Sequence, residues 1–201
     1  TTHCKAGLFT AGGMALKIAS RPMVTRKTPA GWSYFDPEET MQIVATVVHD
    51  VNQESQTPIA AIGIASMAET GILVDRHSGE ARSLFLPWFE TNAQPQADRV
   101  LEKSDPLDIY KRFGLKASFK SSLAKLMWFR QTEPGITDDA FWLSAADYVL
   151  YHLTGAWGTD YSLASRTLAF RVDKKQWDVD WLRDWEIDPE IFPPALSLIH
   201  I

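Results

Sequence analysis

Apolar positions gather into three short runs between residues 59 and 89, with helix-spaced stripes on either side. The first run, 59–65 (IAAIGIA), is continuous and rich in isoleucine. It is far too short to span a membrane and predicts a buried strand. It breaks at Ser66-Met67-Ala68-Glu69, so this strand end carries one carboxylate. The second run, 71–74, leads into a turn, Asp75-Arg76-His77-Ser78-Gly79. The third, 84–89, predicts another strand and ends on Trp88 and Glu90. An acid and an indole thus fall at neighbouring strand ends.

Before this stretch, 4–9 and 14–19 alternate like strands and flank Thr10-Ala11-Gly12-Gly13, which predicts a hairpin. Asp36-Pro37-Glu38-Glu39 is a helix start, with Asp as N-cap and Pro at the first helical position. Met41, Val44, Ala45 and Val48 continue at helical spacing to about Asn52, and Thr57-Pro58 stops the helix. After Asn92 the pattern turns helical, at 95–102, at 106–113 closed by Gly114, and at 122–132 ahead of Pro134-Gly135. A further helix over 144–154 has Ser144 as N-cap, Asp147 three residues on and Gly155 as C-cap. Residues 159–165 (TDYSLAS) read as a polar turn, 167–172 as a strand, and 176–185 as a short helix bearing tryptophans. Hairpin, helix, buried strand and more helices make an α/β order.

Composition narrows the function classes. The chain has 201 residues, is 45% hydrophobic and 22% charged, and carries a net charge of −5. No basic run is interleaved with aromatics, so no nucleic-acid partner is expected. No apolar run approaches the ~20 residues of a membrane helix, and no membrane partner is expected either. A single cysteine, Cys4, leaves no internal disulfide and fits a reducing, cytoplasmic setting. The chain lacks an initiating Met. Residues 197–201 have no capping or turn logic and are expected to be a non-native tail.

Known chemical signatures are absent: no phosphate-binding GxxxxGK[ST], no GxGxxG, no HExxH, no CxxC. The five histidines, at 3, 49, 77, 152 and 200, show no metal-ligand spacing, and no metal site is expected. What remains is Glu69 and Trp88. A carboxylate beside a large aromatic face suits a neutral, hydroxyl-rich ligand, because the acid accepts hydrogen bonds and the ring packs on C–H groups. By pattern alone, the plainer reading is favoured, with Trp88 a core residue and Glu69 a solvated turn.

Five blocks, in order, resemble the FGGY family of carbohydrate kinases. Thr1-Thr2-His3-Cys4-Lys5-Ala6-Gly7-Leu8-Phe9 is similar to the second half of that family's Asp-x-Gly-Thr-Thr-x-x-Lys/Arg loop. Gly63-Ile64-Ala65-Ser66-Met67-Ala68-Glu69-Thr70 resembles its substrate-contacting strand and turn. Trp88-Phe89-Glu90-Thr91-Asn92 is similar to Trp-x-Asp-x-Arg. Ser122-Leu123-Ala124-Lys125-Leu126-Met127-Trp128-Phe129 resembles its Lys-x-x-Trp signature. Residues 144–155 with Thr159-Asp160-Tyr161-Ser162-Leu163-Ala164-Ser165-Arg166-Thr167 resemble the region that follows, including that of glycerol kinases.

The resemblance covers nearly all of residues 1–196 and implies the following. The fold is ribonuclease H-like, of the actin-like ATPase type, a mixed sheet with flanking helices, incomplete at both ends. The activity is ATP-dependent phosphorylation of a sugar or polyol hydroxyl, with Mg²⁺ bridging the phosphates. This chain is the substrate-binding N-terminal part, inactive alone, with the general-base Asp beyond residue 201 and a homodimer as the full-length form. Thr1, Thr2, His3 and Lys5 match the ATP-phosphate loop. Glu69 matches the acid that holds substrate hydroxyls and Trp88 the ring that packs on the carbon chain. Lys125 and Trp128 read as a buried helix anchor with a partnered Lys tip, and Asp160 and Ser165 as turn and cap residues. Met67, Ala68 and Lys120 complete the substrate-binding set that the resemblance implies, and departures there bear on the substrate. Ala68 stands where glycerol kinases have Arg, Met67 and Ala68 leave room for a longer sugar, and Lys120 replaces an aromatic or small residue. The rival readings are an inactive sugar-binding module of the same fold and an actin- or chaperone-like ATPase.

Overall fold

The computed structural model describes residues 2–53, 55 and 58–197. Thr1, Thr57 and most of the expected tail lie outside the described residues. The chain opens with the expected hairpin, β1 (His3–Phe9) against β2 (Ala15–Pro22), antiparallel. Its turn closes through Thr10 and Met14, and Gly13 takes a positive φ of 83° that a side chain would resist. A small pairing of β3 (Arg26–Lys27) with β4 (Ser33–Tyr34) follows. Helix α1 (Pro37–Asn52) starts as its sequence dictates, with Asp36 accepting from the Glu39 amide at 2.9 Å. Val47 and Val51 of α1 pack under Cys4, Ala6, Leu8 and Ala19 of the hairpin. That leaves His3, Lys5 and Phe9 on the hairpin's open face.

The expected strand over 59–65 does not form. The segment has no regular structure, and Ile59 and Ile62 are 42% and 57% exposed. A strand is held by a ladder, and none of the described residues pairs with this segment; its isoleucines report β preference, not a neighbour. The central strand is instead β5 (Gly71–Asp75), buried along most of its length. It pairs antiparallel with β6 (Ala140–Ser144), a strand the sequence pattern did not reveal. On its other side β5 meets residues 81 and 86 through single bridges, and Phe85 bridges Phe35. The run 84–89 is therefore a bridged edge rather than a full strand.

Helices α2 (Gln94–Lys103), α3 (Pro106–Phe113) and α4 (Ser122–Thr132) precede β6, and α5 (Ala145–Thr154) follows it. Both α3 and α5 end on a left-handed glycine, Gly114 and Gly155. The Ser144–Asp147 capping box forms as the sequence predicts. Next come β7 (Thr159–Asp160), the helical turn α6 (Tyr161–Ala164) and a 3₁₀ turn, Ser165–Thr167. The predicted strand over 167–172 shrinks to β8 (Phe170–Arg171), paired with β9 (Gln176–Trp177). The helix expected over 176–185 is α7 (Val179–Asp184), because Asp178 caps it at the Trp181 amide. The last strand, β10 (Ala195–Leu196), runs parallel to β7, whereas the other ladders are antiparallel.

Alternate residues of β5 face two cores. Leu73 joins Leu86, Val100, Phe113, Leu126, Phe129, Trp142 and Trp181. Ile72 and Val74 join Phe35, Phe85, Leu143 and Tyr148. A strand buried on both faces in this way reads as a continuous apolar run. Among the described residues, no helix is long and apolar enough to cross a membrane.

Candidate functional site

The site is built where residues 69–71 lie beside residues 86–88. Gly71 and Leu86 exchange backbone hydrogen bonds at 3.3 and 2.9 Å, and the Trp88 amide donates to Thr70 Oγ1 at 3.1 Å. Lys125, in the first turns of α4, is fully buried and completes the joint. Its Nζ donates to the carbonyls of Glu69, Leu86 (3.2 Å) and Pro87 (3.0 Å). Three carbonyls match the three N–H groups of an ammonium. Burial pushes that ammonium down to about 7, against the upward pull of the Glu69 and Glu90 carboxylates. The buried anchor read from the sequence is thus the pin that fixes the Glu69 backbone against the Trp88 segment.

Glu69 stands in the left-handed region, φ 60°, a conformation non-glycine residues adopt only where the surroundings hold them. Its side chain is 14% exposed, so it is not a solvated turn residue. Arg166 Nε donates to Glu69 Oε1 at 2.8 Å, and Arg166 Nη2 donates to the same oxygen. Glu69 Oε2 accepts no hydrogen bond among the described residues. Arg166 carried no role in the sequence reading. Its pairing with Glu69 spans 97 positions, and only the TDYSLASRT block hinted at it. The turn that delivers it is set by Asp160, which caps the amides of Ser162 (2.6 Å) and Leu163 (3.1 Å), and by Ser165, which donates to the Ser162 carbonyl. Both act as the turn and cap residues expected of them.

Trp88 is 37% exposed and therefore not core. It packs edge-on against Phe89, with centroids 5.6 Å apart, and the Lys120 ammonium lies 5.0 Å from its centroid. The structure thus brings together Glu69, Trp88 and Lys120. Ala68 is half-buried on the approach to Glu69, and Met67 packs against the Phe35–Phe85 core. A cavity of about 20 Å³, room for about one water, is lined by Glu69, Thr70, Ser144, Asp147, Thr159 and Arg166. Burial pushes the Asp147 carboxyl up, while hydrogen bonds from Ser144 and Thr159 hold it back.

Thr2, His3 and Lys5 sit at the start of the hairpin. The Met23 amide donates to the Thr2 carbonyl at 3.0 Å, His3 Nδ1 lies 3.2 Å from Thr2 Oγ1, and Lys5 faces Ser20 across the ladder. Thr1 lies outside the described residues. Among the described residues, no group of three or more His, Cys, Asp or Glu could hold a metal ion.

The chain matches the FGGY family of carbohydrate kinases, N-terminal domain, over residues 1–200. It is 28% identical to a glycerol kinase of Gloeobacter violaceus, over 99% of this chain and 41% of that protein. Its fold superposes on the gluconate kinase of Lactobacillus acidophilus with a TM-score of 0.89 at 22% identity, covering 97% of this chain and 40% of that one. Glycerol kinase of Plasmodium falciparum, solved with ADP, superposes with a TM-score of 0.88 at 23% identity, over 96% and 41%. The chain spans about 40% of the length of the relatives it matches. The α/β fold expected from the resemblance is the one these kinases share. A family match along nearly the whole chain and a shared fold converge: this chain belongs to the FGGY family of carbohydrate kinases.

Proposed function

We propose that the longer protein to which this chain belongs transfers the γ-phosphoryl group of ATP to a hydroxyl of a sugar or polyol in the cytoplasm, and that this part holds the sugar. One observation carries the reading. Both Arg166 N–H groups engage Glu69 Oε1, so Oε2 is left to accept from a ligand hydroxyl, beside an exposed Trp88 ring for the C–H face. Lys125 holds the two at a set separation, and orientation of this kind contributes strongly to a reaction that is mostly positioning and charge stabilisation.

Thr1, Thr2, His3 and Lys5 are the groups we assign to the ATP phosphates; the hydroxyls and the Lys5 cation have the required chemistry. An Asp beyond residue 201 is the proposed general base. Mg²⁺ enters this reading with the nucleotide, carried by the phosphates. The described residues offer no cluster of their own for it, and no step here runs through it. The test is ADP release by the full-length protein with MgATP and a panel of sugars and polyols. Sugar-dependent ADP release is expected. ADP release indifferent to sugar would favour an ATPase serving protein partners, and sugar binding without ADP would favour an inactive binding module.

A further inference from the structure

Lys120 is the cation of this site that the kinase reading leaves without a task. It lies in the turn before α4, half-buried, its amide held by Ser118 Oγ at 3.3 Å. Its ammonium rests against two rings, 5.0 Å from the Trp88 centroid and 5.9 Å from that of Phe119. It makes no ion pair and no side-chain hydrogen bond among the described residues. The neighbouring charges are differently placed. Arg166 is committed to Glu69, and Lys125 is buried on three carbonyls. A half-buried ammonium on aromatic faces has lost part of its water and gained no carboxylate, which leaves it ready for an anion from outside.

We propose that Lys120 is a specificity-determining residue that selects a polyhydroxylated carboxylic acid, an aldonate, over the neutral polyol of the same length. The inference rests on the sugar-site reading above. Trp88 would pack on the carbon chain, Glu69 Oε2 would take a hydroxyl, and Lys120 would take the carboxylate at the Trp88 end. Ala68 brings no cation of its own, so Lys120 and the committed Arg166 are the basic groups set beside these residues.

The test uses the full-length protein with gluconate and glucitol as probes, in wild type, Lys120→Met and Lys120→Arg. Loss of one charge-assisted hydrogen bond is worth about 10- to 100-fold. The ratio of kcat/KM for gluconate over glucitol should fall by that factor in Lys120→Met and largely recover in Lys120→Arg. In wild type, added salt should raise the gluconate KM and spare that for glucitol; this arm does not depend on the variants folding. A glucitol preference in wild type, or an unchanged ratio in Lys120→Met, would overturn the proposal while leaving the kinase reading intact. If neither probe is phosphorylated, calorimetric titration with gluconate decides. Binding lost in Lys120→Met supports the proposal, and no binding to wild type overturns it.

Discussion

Replacing Lys125 by Met separates two roles that a buried lysine can have, because the two predict opposite results for stability. Met fills most of the same volume and removes the ammonium. Of the three carbonyls it would abandon, Leu86 keeps the Gly71 amide at 3.3 Å and Pro87 keeps the Glu90 amide at 3.3 Å. Only the Glu69 carbonyl is orphaned, which costs about 1–3 kcal/mol. Against this stands the burial of the ammonium, which pushes Lys125 from 10.5 to about 7, equivalent to about 5 kcal/mol against the charged form. Lys125→Met should therefore be neutral or stabilising at pH 7. The same variant should raise the sugar KM about tenfold or more, since a 1 Å slip at a site costs up to ~100-fold.

The sign with pH is an independent check. Between about pH 7 and 10 the unfolded chain keeps the lysine proton and the native chain does not. The contribution of Lys125 to stability therefore rises with pH across that window and is flat below it, and Lys125→Met lacks the rise. Urea midpoints at pH 7 and 9.5, followed by tryptophan fluorescence, and the sugar KM supply the readouts. A loss of more than ~4 kcal/mol with no change in the pH slope would refute the reasoning, as would an unchanged KM.

Three other outcomes follow from the same geometry. Arg166→Met should cost about 1–3 kcal/mol, because it leaves the Glu69 carboxylate, 14% exposed, without its partner, and it should change the sugar KM severalfold; an unaltered KM would detach Arg166 from the site. Asp147, held above the usual carboxylate range by burial, binds its proton more readily folded than unfolded. Stability should therefore fall as pH rises from about 4 through the raised value, and Asp147→Asn should flatten that part of the thermal-stability profile. Gly71→Ala would drive a Cβ into the Trp142 ring, so either that ring or the β5–β6 ladder must give way, at a cost of about 1–3 kcal/mol in urea denaturation; a normal midpoint would show that Trp142 moves freely.

What the sequence disclosed depended on how local each signal is. Caps are local: Asp36-Pro37 opened α1, Ser144 and Gly155 bounded α5, and Asp160 read correctly as a turn residue, each within four residues of its partner. Strands are not. Residues 59–65 had the composition of a strand without a neighbour, while β6, the short run AFWLS ahead of the Ser144 cap, had its neighbour some 70 positions earlier in β5. Length alone could not separate it from a helix approach. The site follows the same rule. Glu69, Trp88 and the buried Lys125 tip were legible as residue types at family spacing. The identity of the Lys125 acceptors and the Arg166 contact were not, because both join chain segments far apart in sequence.

The central claim is that Glu69 and Trp88, pinned by Lys125, receive the sugar. A crystal structure of the full-length protein with a bound sugar substrate tests it most directly. A sugar hydroxyl is expected within hydrogen-bond distance of Glu69 Oε2, with the carbon chain against the Trp88 ring. A sugar seated elsewhere, with Glu69 still engaged only by Arg166, would contradict it.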